Sequence, residues 1–193
     1  ARRSEAATQL GRMGPVAEMA VPALVQALSD RDTSVGCAAA NALGRIGVHS
    51  KAAVKGLIKT LSKGRDPLLR SAAAEGLGMI GALARKPASR PLLSALKHED
   101  PDLRREAAKA IGLLGEGDEK LAKQAVKALE PLLSDSEKRV RRVAALSLVR
   151  LGDTSPKLVD LLKATVTKSG RATVEELRDA SAALGKLGAA ARS

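Results

Sequence analysis

Apolar residues along this chain recur at helical spacing, and no stretch sustains the alternation that a strand requires. In residues 35–46, Val35, Ala39, Leu43 and Ile46 fall at i, i+4, i+8 and i+11, with Ala42 beside them, which places them on one helical face. The same pattern returns in residues 2–14, 69–81, 103–115, 140–152 and 176–188. Each of these six segments closes on a glycine, at 14, 47, 81, 115, 152 and 188, a step of 33 to 37 residues. Regularity of this kind is the mark of a repeat array.

The starts of these helices carry caps. Asp66-Pro67 and Asp100-Pro101 place an N-cap aspartate before a proline at the first helical position, where the missing N–H costs nothing. Asp32 and Glu137 stand in the same register, and Thr173 to Glu176 reads as a T-x-x-E capping box. The closing glycines are expected to supply a left-handed stop. Second helices lie between these segments, over residues 22–28, 53–61, 92–96, 121–133 and 157–167, the last after a Ser155-Pro156 start. Pro131 falls inside an apolar-periodic run and is expected to kink its helix.

A helix pair of this size cannot bury its apolar face alone, so neighbouring pairs must stack into a solenoid. The pairs Ala39-Ala40, Ala73-Ala74, Ala107-Ala108 and Ala144-Ala145 are small enough to let helix axes approach closely. This matters because the chain has no Phe, Tyr or Trp, and its core must be assembled from Ala, Leu, Val and Ile.

The recurring V/L-R-x-x-A-A-x-A-L-G-x-I/L-G, preceded by D-x-D or D-P, resembles the short HEAT-like repeat, the type also found in phycobilin lyase subunits. Tetratricopeptide repeats share the period but want aromatic residues, and the ankyrin T-P-L-H is absent. The resemblance runs over nearly the whole chain. It departs at Gly36, where Arg70, Arg104 and Arg141 stand in other units, and at Leu177, which is one residue out of register. It implies an all-α, right-handed α-α superhelix of about five to six repeats, a single solenoid over residues 1–193. The ends read either as cut from a longer array or as half-repeat caps, and end-to-end self-association is one consequence considered.

Composition narrows the functions. The 193 residues include 33 Lys and Arg against 21 Asp and Glu, a formal charge of +12, and the excess is spread over both halves. Without aromatic rings, neither base stacking nor an aromatic cage for a quaternary ammonium is available. No apolar run is long enough to span a bilayer, and the first residues lack the apolar stretch of a signal peptide. The single cysteine, Cys37, excludes an internal disulfide and fits a cytoplasmic location.

Catalytic chemistry finds little support. Gly76-Leu77-Gly78-Met79-Ile80-Gly81 matches G-x-G-x-x-G, but it ends a helix and does not follow a strand, so no nucleotide loop is expected. His49 and His98 have no metal-ligand spacing around them, and His98-Glu99-Asp100 reads as a solvated turn. Cys37 reads as a packing residue. No enzyme, cofactor or metal is expected.

Charge is the remaining signal. Equivalent positions of the glycine-ended helices form rows along the stack: Arg3, Gly36, Arg70, Arg104, Arg141; then Ser4, Cys37, Ser71, Arg105, Arg142 and Arg178; then Arg12, Arg45, Met79, Leu113, Arg150 and Lys186. In HEAT-like folds these helices line the concave face, so the resemblance implies a basic inner surface. Arg70, Arg104, Arg105, Lys109, Arg141, Arg142 and Arg178 are the candidate contacts for an acidic protein segment. Within such families the first row also pairs structurally with acids of the preceding turn, and Asp30, Asp100, Asp102 and Asp135 are available for that role. Lys51, Lys55, Lys59 and Lys63, four apart, read as a solvated outer stripe. The expected function is a non-catalytic protein-interaction scaffold. The alternatives are duplex nucleic-acid binding through phosphates, a bilin-lyase-type subunit, and a structural segment of a larger polypeptide.

Overall fold

In the computed structural model, which describes residues 2–167 and 174–190, the chain is a stack of helix pairs with no strand among the described residues. The glycine-ended helices are α1 (Arg2–Met13), α3 (Thr33–Ile46), α5 (Pro67–Ile80), α7 (Pro101–Gly115), α9 (Lys138–Arg150) and α11 (Val174–Ala190). Between them run α2 (Val21–Ala27), α4 (Lys51–Lys63), α6 (Ala82–Ala95), α8 (Glu119–Leu129) and α10 (Pro156–Thr167).

The caps form as the sequence predicts. Asp32, Asp66, Asp100 and Asp118 accept hydrogen bonds from the N–H groups of Ser34, Leu68, Leu103 and Leu121 at 2.8–2.9 Å. Ser50 caps α4 through the Ala53 N–H. Glu137 stands at the N-cap of α9 without a side-chain bond. The capping box at Thr173 lies outside the described residues.

Two layers result. Leu43, Leu77, Ile111 and Leu148, at one position of the glycine-ended helices, are fully buried against Leu57, Leu92, Leu129 and Leu162 of the intervening helices. Removing each such side chain from water contributes about 1.5–3 kcal/mol. The layers are not equally tight: α1, α3, α5, α7 and α9 pack on one another along much of their length, while α2, α4, α6 and α8 meet less closely. A stack with one layer more closely spaced bends toward it, so the glycine-ended helices line the inner face.

The tight spacing comes from a seam of small residues. The alanine pairs from Ala39-Ala40 to Ala144-Ala145 are all fully buried. Beside them a Cβ on Gly44 would stand 2.8 Å from Gly76 Cα, and one on Gly112 would stand 2.6 Å from Ser147 Cβ. Here glycine is required by the approach of a neighbouring backbone.

Three local expectations are corrected. Gly14, Gly81 and Gly152 take positive φ, but Gly47 has φ −80°, Gly188 remains inside α11, and Gly115 remains inside α7, where Gly117 at φ 77° makes the turn. Glycine at 115 answers a contact instead: a Cβ there would meet Leu151 Cδ2 at 2.6 Å. Second, the α6 helix begins at Ala82 and runs through Pro87 and Pro91, ten residues before the predicted start at Leu92. Ala84, Ala88, Leu92 and Ala95 form a buried stripe across both prolines, and that burial outweighs the lost backbone bonds. Third, Pro131 does more than kink: the α-helix stops at Leu129 and continues as a 3-10 turn, Glu130–Ser134.

Candidate partner-binding face

The first arginine row is engaged within the chain. The Arg104 guanidinium forks onto Asp135, Nε to Oδ2 at 2.7 Å and Nη2 to Oδ1 at 2.8 Å, and its Nη1 donates to the His98 and Glu99 carbonyls. Arg3 forks onto Asp30 in the same way, at 2.9 and 3.0 Å. The acid is therefore supplied by the following turn, while the preceding turn supplies carbonyls. Arg141 donates to the carbonyls of Asp135 and Ser136 at 2.6 and 2.8 Å. Arg70 donates from Nε to the Leu61 carbonyl at 2.9 Å, and its Nη1 lies 2.9 Å from His98 Nε2.

Asp30 and Asp135 each have a second task, accepting the N–H two residues ahead, from Asp32 and Glu137, at 2.9 Å. The Arg104 fork is the main cause that holds the Asp135 carboxyl below its ordinary range, and it raises Arg104 in turn. For Asp30 the Asp32 N–H is the larger cause and Arg3 the second.

Across the stack, the turn positions facing Arg3, Gly36, Arg70 and Arg104 are Asp30, Gly64, His98 and Asp135. Where the arginine is replaced by glycine, its partner is glycine as well. Arg65 covers the gap: its Nη2 donates to the Asp30 and Arg31 carbonyls, the pair that a longer side chain at position 36 would otherwise reach. A cavity of about 210 Å³ bounded by Leu28, Gly64, Arg65 and Leu69 remains beside it. Stacking at Gly36 is thus altered but satisfied, and a Cβ there would stand 2.9 Å from Leu69 Cδ1.

His98 is half-buried and structural, contrary to the solvated turn expected from sequence. Its Nδ1 accepts the Asp100 N–H at 3.0 Å, so the neutral ring carries its proton on Nε2, facing the Arg70 donor. Aspartate would offer an acceptor to both. His98→Asp should therefore stabilise the stack by roughly 1–2 kcal/mol, read as a higher urea midpoint that reverts in the His98→Asp/Arg70→Ala double variant.

The second row divides. Arg105 bridges Asp102 at 2.6 Å and Glu106 at 2.8 Å. Arg142 is buried at 4% exposure, because the row lies in the crevice between successive helices. Arg178 and Lys109 are exposed. In the third row Arg12 and Arg45 are exposed, Met79 and Leu113 half-buried, and Arg150 lies 3.5 Å from Glu116. Arg12, Arg45 and Lys109 make no ion pair among the described residues.

The inner face also carries carboxylates that sequence reasoning did not weigh. Burial pushes the Glu75 carboxyl up, and the neighbouring Glu106 adds to this against Lys109, Arg105 and Arg45. Asn41 Oδ1, Ser71 Oγ and Glu106 Oε2 are buried with no hydrogen-bond partner among the described residues. Burial likewise raises the Cys37 thiol, with Asp66 adding to it, so it is not an activated nucleophile. Lys51, Lys55, Lys59 and Lys63 are all exposed on α4. Among the described residues no three His, Cys, Asp or Glu side chains group as a metal site, and no helix is long and apolar enough to cross a membrane.

Comparison with known proteins agrees with this geometry. The chain is similar to an engineered protein at 25% identity and TM-score 0.64, over 96% of this chain and 90% of that one. It is similar to a designed armadillo repeat protein in complex with the peptide (KR)4, at 19% identity and TM-score 0.62, over 95% and 91%. It is similar to the complex of CpcE and CpcF of phycocyanin lyase from Nostoc sp. PCC7120, at 20% identity and TM-score 0.59, over 86% and 98%. The last two likenesses concern the fold alone. No curated protein matches the sequence significantly. The model of HEAT repeats matches residues 1–78, 54–123 and 89–185, which together span almost the whole chain, and the protein belongs to the HEAT repeat family.

Proposed function

We propose that this chain is a non-catalytic scaffold whose inner face holds an extended, acidic segment of another protein. The observation that carries this reading is the set of exposed cations on the inner layer, Arg12, Arg45 and Lys109, none of which forms an ion pair among the described residues, with Glu75 the one acid whose carboxyl responds to Arg45 and Lys109. Arg178, also exposed, extends the same face toward the last unit. Arg70, Arg104 and Arg141 support the turns that position this face, and Arg105 balances Glu106; Arg142 is too buried to contact a partner. The formal charge of +12 would speed the encounter with an acid.

The test is fluorescence anisotropy with a labelled twelve-residue Glu-rich peptide at low salt. The double variant Arg45→Glu/Lys109→Glu should weaken binding by about tenfold or more, roughly 1.4 kcal/mol, with the helical circular dichroism unchanged. Equal affinity of wild type and variant, or tighter binding of random duplex DNA with a steep salt slope, would overturn the reading.

A further inference from the structure

We propose that the outer layer carries a second site, a cleft between α6 and α8 that takes a small polyvalent anion of the phosphate-ester or pyrophosphate class. The cleft measures about 450 Å³ and is lined by Arg85, Lys86, Arg90 and Lys120, with Leu93 and Leu121 among its apolar residues. That volume lies within the range of small-molecule sites, and the mix of apolar surface with a few charged groups is what such sites use.

The cleft has an identifiable cause. From Gly115 to the N-cap of α9 the chain has three residues more than the corresponding stretch from Gly81 to Asp100. The added length is the Glu116-Gly117-Asp118 turn, since the N-caps Asp118 and Glu137 stand as far apart as Gly81 and Asp100. As a result α6 and α8 touch only sparsely, whereas α4 and α6 are packed.

Cations outnumber carboxylates four to one in the cleft lining. Its one carboxylate, Asp118, is occupied in capping α8 through the Leu121 N–H at 2.9 Å. Arg85 is structural, donating to the Leu114 and Glu116 carbonyls at 2.8 and 2.9 Å, and so holds the end of α7. Lys86 and Arg90 stand four apart on α6, a spacing at which like charges repel, and Lys120 lies on the α8 side of the same cleft. All three are exposed and make no ion pair among the described residues. The nearest acid of α8, Glu119, is bound to Lys123 at 2.6 Å instead. Ser89 and Gln124 add neutral polar groups to the lining. Four cations against one carboxylate, around a cleft with apolar surface, suit a compact ligand carrying two or more negative charges.

The experiment is calorimetric titration of the whole chain with pyrophosphate, with inorganic phosphate and citrate in parallel. Pyrophosphate should bind more tightly than phosphate. Lys86→Ala/Arg90→Ala/Lys120→Ala should weaken it by about tenfold or more. Lys51→Ala/Lys55→Ala/Lys59→Ala, which removes the same charge from the solvated stripe on α4, should leave it unchanged. Equal weakening in both triple variants would show general charge attraction and overturn the site, as would absence of pyrophosphate binding by the wild type. Stronger binding of citrate than of pyrophosphate would overturn the ligand class. The Glu-rich peptide serves as an independent readout, since the cleft variants leave Arg45 and Lys109 intact.

Discussion

Arg104→Ala should destabilise the protein by about 3–5 kcal/mol, the range expected when one partner of a buried pair is removed and the other charge is left behind. The stranded group is Asp135, whose side chain is only 6% exposed. The substitution also releases the His98 and Glu99 carbonyls, so it acts on the turn before α7 and the turn before α9 together. Arg3→Ala is the informative control. It breaks a fork of the same geometry onto Asp30, but Arg3 is 69% exposed, and water replaces most of what is lost, so the expected cost is much smaller than at Arg104. Arg104→Lys should fall between wild type and alanine, because an ammonium cannot serve both carboxylate oxygens and the carbonyls in one plane. Urea unfolding followed by circular dichroism measures the ranking, and hydrogen exchange should place the new opening at α7 and α9. Equal losses at Arg3 and Arg104 would show that burial is not what distinguishes the two forks.

The same pair gives a pH dependence of definite sign. The Asp135 carboxyl lies below its usual value of 3.8 in the folded chain, chiefly because of the Arg104 fork. A depressed folded value means that the unfolded chain binds the proton more readily. The stabilisation is therefore complete above about pH 4 and is lost as pH falls through the folded value. In Arg104→Ala this acid-side loss should shrink.

Much of the architecture could be read from residue spacing because most units repeat one solution: an acidic N-cap position, an alanine pair, a leucine or isoleucine facing the second layer and a terminal glycine. The arginine row was equally visible. Its partners were visible too, since Asp30, Gly64, His98 and Asp135 stand at one repeat position and match Arg3, Gly36, Arg70 and Arg104 in presence and absence. What spacing alone could not supply was the direction of the pairing, because a residue lies close in sequence to the turn before it and close in space to the turn after it. The burial of Arg142 was hidden for a related reason. Its row holds Ser4, Cys37 and Ser71 in other units, and that run of small residues was the available sign of a tight position. The course of α6 through two prolines was missed because local propensity argues against it, while the buried stripe from Ala84 to Ala95 exists only once α7 is in place.

Gly44→Ala is expected to destabilise the stack by roughly 1–3 kcal/mol, although alanine is the better helix former by about 1 kcal/mol. The added methyl would lie 2.8 Å from Gly76 Cα and 3.1 Å from the Gly76 carbonyl oxygen. Both are backbone atoms, which cannot rotate aside, so α3 and α5 must separate along their shared seam. Gly185 occupies a matching L-G position, one that precedes a closing glycine, yet a Cβ there meets nothing within 4 Å. Gly185→Ala should therefore follow helix propensity and stabilise by about 0.5–1 kcal/mol. Opposite signs for one substitution at equivalent repeat positions separate packing from propensity more cleanly than either variant alone. Gly44→Leu extends the test from stability to shape. By forcing the inner layer apart it should reduce the difference in spacing between the layers, and small-angle scattering should then report a straighter, longer particle. If Gly44→Ala proves as stabilising as Gly185→Ala, backbone contact at the glycine seam is not what draws the inner helices together, and the closer spacing of the inner layer needs another cause.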